Sequence, residues 1–194
     1  PDPTDPNNAL ALIEQAAAAA PDRYFQTNQY FNPQNPRSHF CGTGPEIERD
    51  LGRVDYFIGT LGTTGSTRGS IEYLKPRNPQ MLSAGVVAAK GDQIPGIRNS
   101  DEMFEVGLFE RSLYDRILTV SSLEAIDAMV RLVRGAGLFC GPTTGAAFKA
   151  ALDLLGPLDQ TGASGNAVFI ACDRLEWYMS YIARRRPDLL GRPR

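Results

Sequence analysis

The segment VDYFIGTLGTTGSTRGSIEYLK, residues 54 to 75, is the strongest indication of this chain's architecture. An apolar, β-branched run passes through a turn of Gly, Thr and Ser into a helical pattern, which is the order of a strand, a turn and a helix. At the start of a helix, unpaired N–H donors and the positive end of the helix dipole favour an anion. We therefore predict that this turn binds the phosphate of a ligand; a capped connection without a ligand is the alternative. The turn consists of Gly62, Thr63, Thr64, Gly65 and Ser66.

Apolar runs and helical patterns alternate along the rest of the chain. Strands that are apolar throughout and separated by helices indicate an α/β fold, with an open, mainly parallel sheet covered by helices on both faces in three αβα layers. Ligands of such sheets bind beyond the carboxyl ends of the strands, which is where the turn at 62–66 lies. The predicted strands are 54–60, 82–88, 116–120, 138–140 and 167–172, and the predicted helices are 65–74, 122–135, 145–155 and 174–185.

The domain organisation is simple. We expect residues 1–8 to form an exposed lead-in, 9–185 a single phosphate-binding α/β domain, and 186–194 a C-terminal tail. Within the domain we predict a helix at 9–20, a strand at 24–27 followed by a loop to residue 37, and a helix from residue 43 to Gly52. The long segment 90–115 is irregular, and it is either a lid or binding element or a plain surface excursion.

Composition excludes several classes of partner. The chain has 194 residues and a formal net charge of −2, so it lacks the basic character that nucleic-acid binding requires. No apolar run approaches the roughly 20 residues of a membrane span, and no signal sequence opens the chain, so we expect a cytoplasmic protein without a membrane partner. Cys41, Cys140 and Cys172 form no C-x-x-C pair, and His39 is the single histidine, so we predict neither a disulfide framework nor a metal site.

A second turn, GLFCGPTTGAA at 137–147, also joins a short apolar run to a helix. Thr143 or Thr144 is placed to cap that helix or to offer a hydroxyl group to a ligand. Two hydroxyl-bearing turns at one edge of a parallel sheet favour a shared polar ligand.

Five sequence blocks then identify a family. They resemble, in the right order, blocks of the pyridoxal-phosphate-dependent cysteine synthase (O-acetylserine sulfhydrylase) family, of the tryptophan synthase β-like fold type II. The resemblance covers residues 9 to 182, the C-terminal portion of the family, and its GTTG, IPGIR and CDR elements are closer to the B branch than to the A branch. The blocks are NPQNPRSHFCGTGPEI at 32–47, GTTGSTRG at 62–69, IPGIR at 94–98, GLFCGPTTGAA at 137–147 and ACDRLEWYMS at 171–180.

The resemblance implies a cofactor, pyridoxal 5′-phosphate, and a role for each matching position. The turn at 62–66 would hold the phosphate, the Thr143 hydroxyl would face the pyridine nitrogen, and the Gly96 backbone would border the substrate side of the ring. A neutral hydroxyl leaves that nitrogen unprotonated, which suits β-elimination over deeper carbanion chemistry. Asp173 and Tyr178 match the last block, where Leu175 replaces the usual glycine, and we interpret both as structural.

The family's Schiff-base lysine and its Ser/Thr-Gly-Asn loop have no counterpart here. The three lysines, Lys75, Lys90 and Lys149, match no family lysine context. We therefore expect a split or cleaved enzyme in which a second chain supplies the lysine half, in a dimer of such pairs, and an isolated chain that is inactive. The alternatives are a non-catalytic binding or regulatory module that pairs with a complete synthase, and a different phosphorylated ligand on the same fold.

The implied reaction is β-replacement on an activated serine by a sulfur or amine nucleophile. Arg98, in the IPGIR block, could meet an anionic group of such a small-molecule amino-acid substrate; a surface arginine without that role is the alternative.

Overall fold

A computed structural model describes residues 6–159 and 164–191 of the chain. The helices are α1 (Pro6–Ala19), α2 (Gln34–Cys41), α3 (Thr43–Leu51), α4 (Gly65–Leu74), α5 (Ser122–Ala136), α6 (Pro142–Asp159) and α7 (Met179–Arg185). The strands are β1 (Tyr56–Thr60), β2 (Leu82–Ala88), β3 (Arg116–Val120) and β4 (Ala167–Phe169). Short 3₁₀ helices cover Ser100–Glu105, Arg111–Leu113, Leu175–Tyr178 and Pro187–Leu190. No helix in these two ranges is both long and apolar enough to cross a bilayer.

The four strands form one parallel sheet in the order β3-β2-β1-β4. Tyr56 in β1 pairs with Leu82 in β2 and with Ala167 in β4. The predicted α/β fold with a mainly parallel sheet is confirmed. The turn at 62–66 follows β1, one of the two central strands.

Helices cover both faces of the sheet. Successive side chains of a strand point to opposite faces, and because both sets are apolar here, both faces need a cover. Ile58 of β1 packs in a cluster with residues of α5 and α6, such as Ala125 and Ala146. Its neighbour Phe57 packs on the opposite face with Ile71 of α4. The sheet therefore fixes the starts of α4 and α6 at its carboxyl edge.

Residues 24–41 differ from the sequence prediction. There is no strand at 24–27, where Phe25 is 88% exposed and no neighbouring strand is available. Part of the predicted loop is helix α2, although its composition of Asn, Gln and Pro is poor for a helix. Tertiary packing stabilises α2, because Pro36 is buried and Gly69 of α4 lies against its backbone.

Other boundaries also shift. The predicted strand at 138–140 is a single antiparallel bridge between Cys140 and Arg174. Helix α6 starts at Pro142, so Thr143 and Thr144 lie inside its first turn, and the prediction that one of them caps it is wrong. The predicted helix at 174–185 is a 3₁₀ turn followed by α7. Helix α1 begins within the expected lead-in, and the last 3₁₀ helix lies in the expected tail.

Candidate functional site

The turn between β1 and α4 presents a helix start with unpaired donors. Thr64 stands at the N-cap position of α4, and its side chain makes no capping hydrogen bond. Its φ of 65° is left-handed, a strained conformation for a β-branched residue, and such strain concentrates at binding sites. The Thr64 side chain thus satisfies none of the first N–H groups of α4, of which the Gly65 N–H lies 3.5 Å from Thr63 Oγ1.

This turn forms one wall of a cleft of about 780 Å³ at the carboxyl edge of the sheet. The structure brings nearly all predicted site residues together here. Those that line the cleft are Gly62, Thr63, Thr64, Ser66, Gly96, Arg98 and Thr143. Gly65 is the exception, since it packs against Asn35, whose Oδ1 atom would lie 1.9 Å from a Cβ at that position.

Buried oxygen atoms without partners concentrate around the cleft. Four side-chain oxygens of the described residues are buried and make no hydrogen bond, and three of them belong to residues that line the cleft. These three are Thr64 Oγ1, Thr143 Oγ1 and Asp173 Oδ1, while the fourth, Ser70 Oγ, lies elsewhere in α4. A buried polar atom without a partner costs about 1–3 kcal/mol, and the Thr64 and Thr143 hydroxyls, which can donate, would be satisfied by an acceptor bound in the cleft.

The loop after β2 forms the opposite wall. A Cβ on Gly62 would lie 2.6 Å from the Gly96 carbonyl oxygen, so the two turns are in close contact. Gly96 has a φ of 84°, which favours glycine. The Arg98 N–H donates to the Leu61 carbonyl at 2.8 Å and ties this loop to the end of β1.

Contacts with α5 and α7 also hold the loop after β2 in place. The Asp92 carboxylate accepts the Ser122 N–H at the start of α5, at 2.5 Å, and lies 3.6 Å from Arg185 of α7. The Tyr181 hydroxyl donates to the Gln93 carbonyl at 2.7 Å. Burial raises the pKa of Asp92, but hydrogen bonds from Ser122 and Gln93 outweigh it, so the pKa is lowered overall. The cleft wall is therefore a fixed element.

Arg98 is held along this wall. Its side chain is 17% exposed, its guanidinium lies 5.1 Å from the centre of the Tyr30 ring, and Nη1 is 3.9 Å from Glu102. These contacts orient a positive charge at the cleft, as an anion-binding role would need.

The start of α6 closes the far end of the cleft. Thr143 is 4% exposed, and the Oγ1 atom of the adjacent Thr144 accepts the Cys172 N–H at 3.3 Å. Burial raises the pKa of the Cys172 thiol, which favours a neutral thiol over a nucleophilic thiolate. The Tyr178 hydroxyl donates to Asp173, and burial, with that carboxylate, raises the pKa of Tyr178 to about 12.

None of the three lysines lines the cleft. Lys75 pairs with Asp115 at 2.7 Å, and Lys149 with Asp153 at 2.5 Å. His39 Nδ1 lies 2.9 Å from Thr43 Oγ1, and burial lowers its pKa. Within 6–159 and 164–191, no cluster of His, Cys, Asp and Glu could hold a metal ion.

Sequence reasoning missed Asn35, which lies in the unpredicted helix α2 and contacts Thr63 and Gly65 of the turn. The one sequence signal for Asn35 was the repeated Asn-Pro pair in the first block, at 32–33 and 35–36. Asp173, which we interpreted as structural, accepts the Tyr178 hydroxyl and is also among the residues that line the cleft.

Comparison with known proteins gives consistent results. A family model described as pyridoxal-phosphate dependent enzyme matches residues 3–173. Cysteine synthase B of Pseudomonas aeruginosa is 37% identical over 156 residues, 79% of this chain and 50% of that protein. The Salmonella typhimurium protein of the same name is 33% identical over 175 residues, 89% of this chain and 54% of that protein. This chain thus spans about half the length of these curated relatives.

A solved structure has a similar fold. A hydrogen sulfide-producing enzyme from Fusobacterium nucleatum superposes with a TM-score of 0.75 at 32% identity, over 87% of this chain and 60% of that one. The resemblance to cysteine synthases expected from the sequence is confirmed.

Proposed function

The chain belongs to the pyridoxal-phosphate-dependent enzyme family, and we propose that it binds pyridoxal 5′-phosphate in the cleft as the C-terminal part of a cysteine synthase-like β-replacement enzyme. The observation that carries the proposal is the pair of buried hydroxyls without a partner, on Thr64 and Thr143, which belong to two helix starts that border one cleft. A phosphorylated pyridine ring offers acceptors to both hydroxyls, namely the phosphate oxygens and the ring nitrogen.

The residues present fit such a cofactor. The phosphate would bind at the start of α4, beside the hydroxyls of Thr63, Thr64 and Ser66, which line the cleft. The phosphate oxygens would accept hydrogen bonds from the backbone N–H groups and from these hydroxyls. Thr143 would donate its hydroxyl to the ring nitrogen, and Gly96 would border the ring. A pyridoxal cofactor, when bound, supplies an electron sink for reactions at the substrate's α- and β-carbons. This chain's contribution is to bind and orient it.

We propose that the lysine that such an enzyme needs comes from a second chain. The absence of lysine from the lining of the cleft supports this proposal. The edge strand β4 supports the proposal, because an apolar hollow of about 400 Å³ lies beside it, lined among others by Tyr56, Phe148, Leu155 and Phe169. We propose that the lysine half packs there, that two such pairs dimerise in the cytoplasm, and that this chain alone is inactive.

The proposed substrate is an activated serine, and the nucleophile carries sulfur or nitrogen. Arg98, with its charge held at the cleft wall, would bind an anionic group of either reactant.

A non-catalytic module is the second candidate function. The absence of lysine from the cleft favours it, since a regulatory partner of a complete synthase would need none. It predicts a chain that folds as a stable homodimer and is indifferent to the cofactor.

Calorimetric titration with pyridoxine 5′-phosphate tests the proposal. This probe has the ring and the phosphate but no aldehyde, so it cannot react with surface lysines. We expect saturable binding of one molecule per chain, and binding at least tenfold weaker for pyridoxine, which lacks the phosphate. No binding, or equal binding of both, would overturn the proposed cofactor site.

A further inference from the structure

Helix α2 packs unusually closely against the start of α4. A Cβ on Gly65 would lie 1.9 Å from Asn35 Oδ1, and a Cβ on Gly69 would lie 2.0 Å from the Pro36 carbonyl oxygen. Two glycines four residues apart lie on the same face of α4, so together they admit the backbone of α2. This contact brings the Asn35 side chain to the phosphate turn.

The Asn35 amide has a defined orientation. Its Nδ2 atom donates to the Gln29 carbonyl at 2.8 Å, and a carbonyl oxygen can only accept. The same nitrogen donates to Thr63 Oγ1 at 3.2 Å. The Gly65 N–H also points to Thr63 Oγ1, at 3.5 Å.

These contacts determine what the Thr63 hydroxyl can do. A hydroxyl oxygen has two acceptor positions and one O–H donor. Asn35 and Gly65 both act on Thr63 as donors, so the Thr63 O–H must itself donate elsewhere. Thr63 lines the cleft, and a phosphate group there offers only acceptors.

We propose that Asn35 is a positioning residue, which fixes the Thr63 hydroxyl as a hydrogen-bond donor to the anion in the cleft. The inference rests on the proposed function, because it needs a phosphorylated ligand at the turn. Asn35 need not touch that ligand, and its effect passes through Thr63.

A double-mutant cycle on the full chain tests this inference. Binding of pyridoxine 5′-phosphate and of pyridoxine is measured by calorimetry for the wild type, N35A, T63V and N35A/T63V. We expect N35A to weaken pyridoxine 5′-phosphate roughly fivefold, the range of one hydrogen bond, and to leave pyridoxine unchanged. In the T63V background N35A should have no further effect, because the hydroxyl that it positions is gone.

Two further variants sharpen the test. N35D has nearly the same shape, cannot donate when ionised, and brings a negative charge, so it should weaken pyridoxine 5′-phosphate more than N35A does. It also serves if N35A fails to fold by circular dichroism. N32A is the control for loosening of α2: outside the cleft, Asn32 Nδ2 donates to the Thr27 carbonyl at 3.0 Å and its Oδ1 accepts the Gln34 N–H at the start of α2, also at 3.0 Å, so its effect on binding should be smaller than that of N35A.

Three results would overturn the inference while leaving the cofactor site intact. These are an N35A effect equal to that of N32A, an equal loss for both ligands, and a full N35A effect in the T63V background. Failure of the wild-type chain to bind pyridoxine 5′-phosphate would instead overturn the proposed function, and this inference with it.

Discussion

Gly62 and Gly96 lie so close across the cleft that a Cβ on Gly62 would be 2.6 Å from the Gly96 carbonyl oxygen. This contact joins the turn after β1 to the loop after β2, and both belong to the proposed cofactor site. A side chain on Gly62 would therefore push two walls of the cleft apart.

The variant G62A should lose stability and binding together. We expect its free energy of unfolding to fall by about 1–3 kcal/mol, as for overpacking, because backbone atoms must move. Urea denaturation measures the loss, and calorimetry with pyridoxine 5′-phosphate should show weaker binding. The control is G135A in α5, where nothing lies within 4 Å of the new Cβ; it should gain about 0.5–1 kcal/mol from helix propensity. Equal stability of G62A and G135A would contradict the contact.

Replacing Thr143 by Val should separate stability from binding. The variant keeps the shape but removes a buried oxygen without a partner, so the free energy of unfolding should rise by about 1 kcal/mol. Binding of pyridoxine 5′-phosphate should weaken several-fold. The neighbouring variant T144V should instead lower the free energy of unfolding, because it removes the hydroxyl oxygen that accepts the Cys172 N–H. Destabilisation by T143V would show that its hydroxyl is already satisfied.

The cysteines should react with thiol reagents at different rates. Cys41 and Cys172 are both exposed and should be labelled before Cys140, which is 1% exposed. Cys172 should react more slowly than Cys41 because its raised pKa leaves less thiolate. Burial raises the pKa of Cys172, so its labelling rate should keep rising above the pH at which an ordinary thiol levels off. Cys172 lines the cleft, so pyridoxine 5′-phosphate should slow its labelling in mass spectrometry and leave Cys41 unaffected. Protection of Cys41 alone would contradict the site.

Asp92 should make stability depend on pH. Its folded-state pKa is lowered, so its contribution is present above the unfolded-state pKa and is lost as the pH falls through the folded one. At pH 7, D92N should lose about 1 kcal/mol, as for a helix cap. The difference from the wild type should shrink as the pH falls below the ordinary pKa of an aspartate and through the lowered folded-state pKa, measured by urea denaturation over that pH range. The control D50N should have the same free energy of unfolding as the wild type at pH 7, because the ion pair of Asp50 with Arg49 is exposed. A D92N effect that does not change with pH would show that Asp92 does not make stability depend on pH.

The central strands and the phosphate turn were predictable because their signals are local. Strand β2 was predicted at its observed residues, 82–88, since a strand buried on both faces is apolar throughout. The turn at 62–66 was predictable because its glycines and hydroxyls stand directly between a strand and a helix. Thr143 was expected beside this turn because both turns were predicted at one edge of a parallel sheet, whereas Gly96 was expected only from the family resemblance.

The remaining features depend on contacts distant in sequence. Helix α2 has unfavourable residues and is held by Gly65 and Gly69, more than 25 positions away. Asn35 was missed as a site residue for the same reason. The 24–27 segment looked like a strand because of its aromatic residues, but a strand needs a neighbour, which the fold does not supply.

Reductive trapping tests most directly the claim that this chain holds the cofactor while another supplies the lysine. The chain is mixed with equimolar pyridoxal 5′-phosphate and a lysine-bearing N-terminal half, such as that of the Pseudomonas aeruginosa cysteine synthase B. Borohydride reduction and peptide mapping then locate the pyridoxyl group. The account predicts stoichiometric labelling of the N-terminal half, only when this chain is present. Stoichiometric labelling of Lys75, Lys90 or Lys149 would contradict it.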